Sequence, residues 1–255
     1  MHDQGAIMSK RTTQVNSAAM LKNVASITEA VEHALNRPSH LPGLVCFHGH
    51  SGFGKTTAAL FLTVQFRAYH VEADSTCSRK ELLLDIAEKM GLTPTKTIRE
   101  LKGQIGEQLA ASRRPLIIDD AHHPARKGFL EILLDIYKKS RDQGTIVLIG
   151  EPALPLELKK HFERIDNRIL RWVEANPLDM DDARVLRDFY ARGVMVGDDL
   201  LEEIHRSHAG CTRRIVIDLE NVREKALAMG LREIGLDAWR DEKPAEPKKA
   251  IRRVG

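Results

Sequence analysis

Cysteine is scarce in this chain. Cys46, Cys77 and Cys211 are the only three in 255 residues. They are odd in number, scattered and without C-x-x-C spacing, which excludes a disulfide framework and gives a zinc site no support. Long apolar runs are missing as well: no stretch approaches the roughly 18 consecutive apolar residues of a membrane span. The start Met1-His2-Asp3-Gln4-Gly5 lacks the basic segment and apolar stretch of an export signal. The expectation is a cytoplasmic protein with no membrane contact. Aromatic residues make up only 5% of the chain, too few to interleave its basic clusters with stacking platforms for single-stranded bases. Net charge is +3, too small to name nucleic acid as a partner by itself.

Glycine, by contrast, is concentrated where it matters. Residues 49 to 56 read Gly49-His50-Ser51-Gly52-Phe53-Gly54-Lys55-Thr56, a complete G-x-x-x-x-G-K-[ST] loop. It lies between the apolar run Leu44-Val45-Cys46-Phe47 and the helix-prone segment from Thr57 to Leu62. In that strand, loop, helix order the backbone N–H groups turn inward around the phosphates of ATP. Lys55 adds a point charge, the Thr56 hydroxyl can sit on Mg²⁺, and the helix start contributes the positive end of its dipole. Gly49 through Thr57 are therefore the candidate ATP contacts.

Such a site needs an apolar strand ending in an acid, and Arg114-Pro115-Leu116-Ile117-Ile118-Asp119-Asp120 supplies it. Asp119 is the candidate Mg²⁺ ligand beside Thr56. Asp120 is placed to orient or deprotonate the attacking water. Many ATPases of this type carry Asp-Glu here. The shorter Asp120 would sit farther from the water unless the backbone compensates, so slow hydrolysis is expected.

Strands and helices alternate up to Asn176-Pro177, which argues for a parallel sheet with helices on its faces. Strands are expected at 44–48, 69–73, 114–120 and 145–149, with helices at 55–66, 80–90, 97–111 and 129–139. Beyond Pro177 the pattern predicts helices only: 179–191, 198–208 and 212–229. The expected division is an N-terminal extension over 1–25, an α/β core over 26–176, a helical lid over 177–240 and a flexible basic tail over 241–255.

A parallel α/β core followed by a small helical segment resembles the layout of AAA+ ATPases, and three further positions acquire roles from that resemblance. Glu151, in Leu148-Ile149-Gly150-Glu151-Pro152, matches the polar sensor at the end of the strand after Asp119. Arg168, in Phe162 to Ile169, matches the arginine finger offered to a neighbouring subunit's ATP, with Arg164 the alternative. Arg213, in Gly210-Cys211-Thr212-Arg213-Arg214, matches the second sensor at a helix start in the lid.

Within AAA+, residues 20 to 230 resemble the branch containing phage Mu transposition protein B and the TnsC, TniB and IstB ATPases of mobile elements. The segments Ile117-Ile118-Asp119-Asp120-Ala121-His122-His123 and Val147-Leu148-Ile149-Gly150-Glu151-Pro152-Ala153-Leu154 carry this, with the phosphate loop. The resemblance implies an ATP-dependent, sequence-tolerant binder of double-stranded DNA that forms a homo-oligomeric filament or ring and recruits or activates a transposase. It would act in the host cytoplasm if phage-encoded. The helix-turn-helix domain of phage Mu's B protein has no counterpart in the roughly 25 residues before the core, so DNA contacts are expected from the ATPase body. Arg79, Lys80, Lys96, Arg99 and Lys102 are the candidates, although each basic cluster alone also reads as a solvated face. The secretion ATPase ExeA shares similar segments. A helicase loader or replication initiator, and a nucleotide-gated scaffold that does not hydrolyse ATP, stay open as alternatives.

Overall fold

A computed structural model describes residues 21–240, except 75, 77, 126–128 and 162. The first 20 residues, Cys77 and the basic tail from 241 lie outside the described residues. The chain divides into two compact units, one up to Pro177 and one from Leu178.

The first unit is built on five parallel strands: β1 (Leu44–His48), β2 (Tyr69–Glu72), β3 (Leu116–Asp119), β4 (Ile146–Gly150) and β5 (Ile169–Glu174). Their order in the sheet is β2-β3-β4-β1-β5. The three inner strands are apolar almost throughout because helices cover both faces, leaving no solvent side to carry alternating polar residues. Leu44, Cys46, Leu116, Ile118, Ile146 and Leu148 belong to one core layer. Over it pack α3 (Arg79–Lys89), α4 (Ile98–Ser112) and α6 (Phe129–Lys139) through residues at helical spacing such as Leu82, Ile86, Leu101, Ile105, Leu130 and Leu133. The opposite face is covered by α1 (Lys22–Leu35) and α2 (Lys55–Gln65). Val24, Ile27, Val31, Ala58, Ala59 and Leu62 are buried there.

Helices α3 and α4 start where capping boxes place them. The Ser78 hydroxyl accepts from Glu81 N while Ser78 N donates to the Glu81 carboxylate, and Thr97 and Glu100 do the same. The short helices α5 (His122–Ala125), α7 (Ala153–His161) and α8 (Glu163–Asp166) complete the first unit.

The second unit packs α9 (Met180–Tyr190), α10 (Asp198–Ser207), α11 (Thr212–Ala228) and α12 (Leu236–Arg240) around Ala183, Leu186, Leu200, Leu201, Ile204, Ile215, Leu219 and Val222. The sequence pattern predicted helices only after Pro177, and the structure corrects this. Strands β6 (Met195–Val196) and β7 (Glu233–Ile234) pair in parallel. Two residues per strand are too few to show a period of two.

Two elements of the first unit also differ from the sequence reading. Helix α1, from Lys22, is not among the helices expected from the sequence. The edge strand β5 is not among the strands expected from the sequence, and its exposure is intermediate throughout most of its length.

Candidate functional site

The sheet order brings the motif residues together. Strand β4 lies between β3 and β1, so the C-terminal ends of these three strands form one edge. The loop after β1, Asp119 at the end of β3, Asp120 after it, and Glu151 after β4 all emerge there. Backbone bonds hold the edge in register: Gly49 N donates to Gly150 O at 3.2 Å, and Ala121 N donates to Ile149 O at 2.8 Å.

The loop has the conformation its glycines permit. Gly52 and Gly54 have φ of 85° and 81°, in the left-handed region that a side chain disfavours. Gly54 is the residue from which α2 starts, so the first helical N–H groups face the loop interior. Lys55 is only 8% exposed. Its ammonium donates to Gly49 O at 2.8 Å and His50 O at 2.9 Å. Anionic phosphate oxygens would replace these carbonyls with stronger, charge-assisted acceptors. Thr56 and Thr57 are exposed in the first turn of α2, and His50 packs edge-on against Phe53.

Asp119 is 2% exposed and its Oδ1 accepts from Asp120 N at 2.9 Å. The Asp119 carboxylate and the Thr56 hydroxyl are hard oxygen donors on elements that pack together, a donor set that suits Mg²⁺. Asp120 has φ of 52°, so the chain turns left-handed immediately after β3. Its carboxylate is 40% exposed and stands 3.9 Å from His122 Nδ1. Glu151 is exposed at the end of β4.

Two residues at this edge escaped the sequence reading. Asn23 on α1 is 7% exposed. Its Nδ2 donates to Phe53 O of the loop at 3.2 Å and to Asn176 O at 2.8 Å, while its Oδ1 accepts from Asn176 N at 3.0 Å. One side chain, 153 residues from Asn176, thus ties the phosphate loop to the segment leaving β5, and no local motif announces it. His70 on β2 brings Nε2 to 3.9 Å from Asp119 Oδ2, with that nitrogen buried and without a hydrogen-bond partner among the described residues. Burial holds His70 below its ordinary pKa against the opposing pull of Asp119 and Glu72. A polar residue inside a short strand beside the acid-tipped one was the available signal. His48, at the end of β1, is also held low by burial, with Glu174 pulling the other way.

The remaining candidates lie elsewhere. Arg168 precedes β5, and its Nη1 donates to Arg164 O at 2.7 Å. Because Leu44 pairs with Ile169 and His48 with Glu174, Arg168 sits at the strand-start end of the sheet, opposite the phosphate loop. Arg213 is exposed in the first turn of α11, in the second unit. Arg79, Lys80, Lys96 and Arg99 are exposed at the starts of α3 and α4. Lys102 differs: its ammonium is 2.6 Å from Asp135 Oδ2 on α6, with the lysine side chain 20% exposed.

Strand order, phosphate loop and acid-tipped β3 together define the AAA+ P-loop fold. Residues 39–156 match a family model described as an AAA domain. Among solved structures, the chain resembles the Aeropyrum pernix ORC1 protein in complex with DNA, with a TM-score of 0.62 and 17% identity over 85% of this chain and 62% of that one. It also resembles the Aeropyrum pernix ORC2 protein in ADPNP-ADP complexes, with a TM-score of 0.63 and 16% identity over 85% of this chain and 66% of that one. The Drosophila ORC bound to DNA gives a TM-score of 0.57 and 15% identity, covering 83% of this chain and 55% of that chain. The chain therefore spans less than two thirds of the length of these proteins. No curated protein matches it in sequence.

Proposed function

We propose that this chain is an ATPase that binds ATP in the loop from Gly49 to Thr57, hydrolyses it slowly, and in the ATP-bound state assembles on duplex DNA. The observation that carries the reading is the single sheet edge on which Lys55, Asp119, Asp120 and Glu151 converge. Lys55 neutralises phosphate charge and Thr56 with Asp119 would hold Mg²⁺, which when bound spreads the negative charge that builds on the transferred phosphoryl group. Asp120, accessible beside the buried Asp119, accepts the proton of the attacking water. Arg168 lies at the far end of the sheet, so it serves the nucleotide of another copy. ATP then acts as the bond between subunits, and repeated subunits multiply weak phosphate contacts with DNA.

Within that activity, the segments around Asp119 and Glu151 support a part in DNA transposition: binding target DNA as a filament or ring and recruiting or activating a transposase. A second reading, a replication initiator or helicase loader, is favoured by the likeness to ORC proteins, two of which were solved with DNA. Steady-state ATP turnover with and without duplex DNA tests the shared part. Turnover stimulated by DNA is expected, and no turnover in either condition overturns the ATPase reading. A strand-transfer assay on DNA carrying this protein, set beside a helicase-loading assay, separates the two roles.

A further inference from the structure

The strand-start end of the sheet in the first unit is rich in arginine. The five connections that lead from a helix into a strand, residues 36–43, 66–68, 113–115, 140–145 and 167–168, hold Arg37, Arg67, Arg113, Arg114, Arg141 and Arg168 against one carboxylate, Asp142. They contain no lysine and no glutamate. All five meet at one end because the strands are parallel and start in register: Tyr69 pairs with Leu116, Leu116 and Leu44 with Ile146, and Leu44 with Ile169.

Some of these arginines have structural employment. Arg37 donates to Leu41 O, Ala34 O, Asp142 O and Gly144 O. Arg114 lies 3.9 Å over the Tyr69 ring and donates to Arg67 O. Arg67, Arg113 and Arg141 are different. Each is exposed, and none has a carboxylate within ion-pair distance among the described residues. In the second unit, by contrast, Arg184, Arg187 and Arg206 are each paired with an acid.

The backbone sharpens the contrast. Arg67, Arg113 and Arg141 have φ of 51°, 54° and 55°, at helix ends where glycine is the favoured residue and a side chain costs about 1 kcal/mol or more. Arginine therefore stands at three successive connections where local stability favours glycine or asparagine. Uncompensated charge at conformationally costly positions points to a ligand.

We propose that Arg67, Arg113 and Arg141 form a docking face for the phosphate backbone of duplex DNA. They precede three neighbouring strands, β2, β3 and β4, and at the usual interstrand spacing span about 10 Å. That is the axial rise of about three phosphates on one strand of a duplex. None of the exposed large apolar side chains falls in these five connections, so the face lacks the buried anchor that a protein partner requires. The proposal rests on the DNA-binding reading above and assigns it to a surface at the end of the sheet opposite the nucleotide.

The test replaces all three by asparagine, which tolerates the left-handed conformation and so preserves the fold, and in a second variant by lysine, which preserves charge. Anisotropy titrations of the 255-residue chain with unrelated duplexes, with ATP at several salt concentrations, give affinity and salt slope. The asparagine variant should bind at least about tenfold more weakly, with a slope of log affinity against log salt shallower by up to about 2.7, at about 0.9 per lost contact. The lysine variant should keep most of the slope. Unchanged affinity and slope in the asparagine variant overturn this face as the DNA contact while leaving DNA binding intact. Failure of the unaltered chain to bind any duplex overturns both this proposal and the DNA-binding reading.

Discussion

Asp120 is a residue whose backbone carries as much information as its side chain. Its φ of 52° lies in the left-handed region, which most side chains disfavour by about 1 to 2 kcal/mol and which Asp and Asn enter more readily. Here the turn leaves Asp119 buried while the next carboxylate is 40% exposed. An Asp in place of the commoner Glu is one methylene short, and on the proposed mechanism the left-handed turn would be what brings the shorter side chain to the water. Asp120→Asn separates chemistry from fold, because asparagine also tolerates this conformation. ATP binding should remain within about twofold while turnover falls by about 100-fold or more, the usual loss when a general base is removed. Nucleotide titration and single-turnover rates measure the two separately. Wild-type turnover in this variant would remove Asp120 from the mechanism.

Three elements meet at Asn23: the start of α1, the phosphate loop and the segment leaving β5. Removing the amide with Asn23→Ala leaves Phe53 O, Asn176 O and Asn176 N short of partners. The expected cost is about 1 to 3 kcal/mol of stability, with a severalfold loss of ATP affinity because the loop loses a tether at Phe53. Thermal unfolding and nucleotide titration check this, and an unchanged affinity would show that the tether does not position the loop. The same element shows why part of the site was not legible in the sequence. The loop, β3 and β4 are contiguous motifs with strong apolar runs, and the sheet edge they form follows from strand order. Asn23 lies 153 residues from Asn176, and a lone asparagine in a helix has no local signature. Strand β5 is interrupted by Arg171 and Glu174 and half-exposed as an edge strand, so neither continuous hydrophobicity nor clean alternation marks it. Charge clusters mislead for a related reason. Lys102 belongs to the same sequence cluster as Lys96 and Arg99, yet packing of α4 on α6 pairs it with Asp135.

At the scale of the molecule, the first unit presents phosphate-binding chemistry at the strand-end edge and uncompensated arginines at the strand-start end. Arg168 lies at the strand-start end, and an arginine on that side cannot reach its own loop. Arg168→Ala should therefore bind ATP nearly as the wild type does and fail to hydrolyse it. Mixing Arg168→Ala with Lys55→Ala subunits should regain part of the activity, because each mixed contact can pair an intact loop with an intact arginine. Co-assembly without regained activity at any ratio would contradict a role in trans. The central claim, that nucleotide in the loop governs engagement of DNA, is tested most directly by titrating a labelled duplex with the chain in ATP, in ADP and without nucleotide, alongside Lys55→Ala in ATP. Removing Lys55 takes the charge and its phosphate contacts from the cradle. The expected result is tight binding in ATP alone, weaker by about tenfold or more in the other three conditions, as for an assembly whose avidity depends on ATP-joined subunits. Equal affinity in all four would contradict the claim.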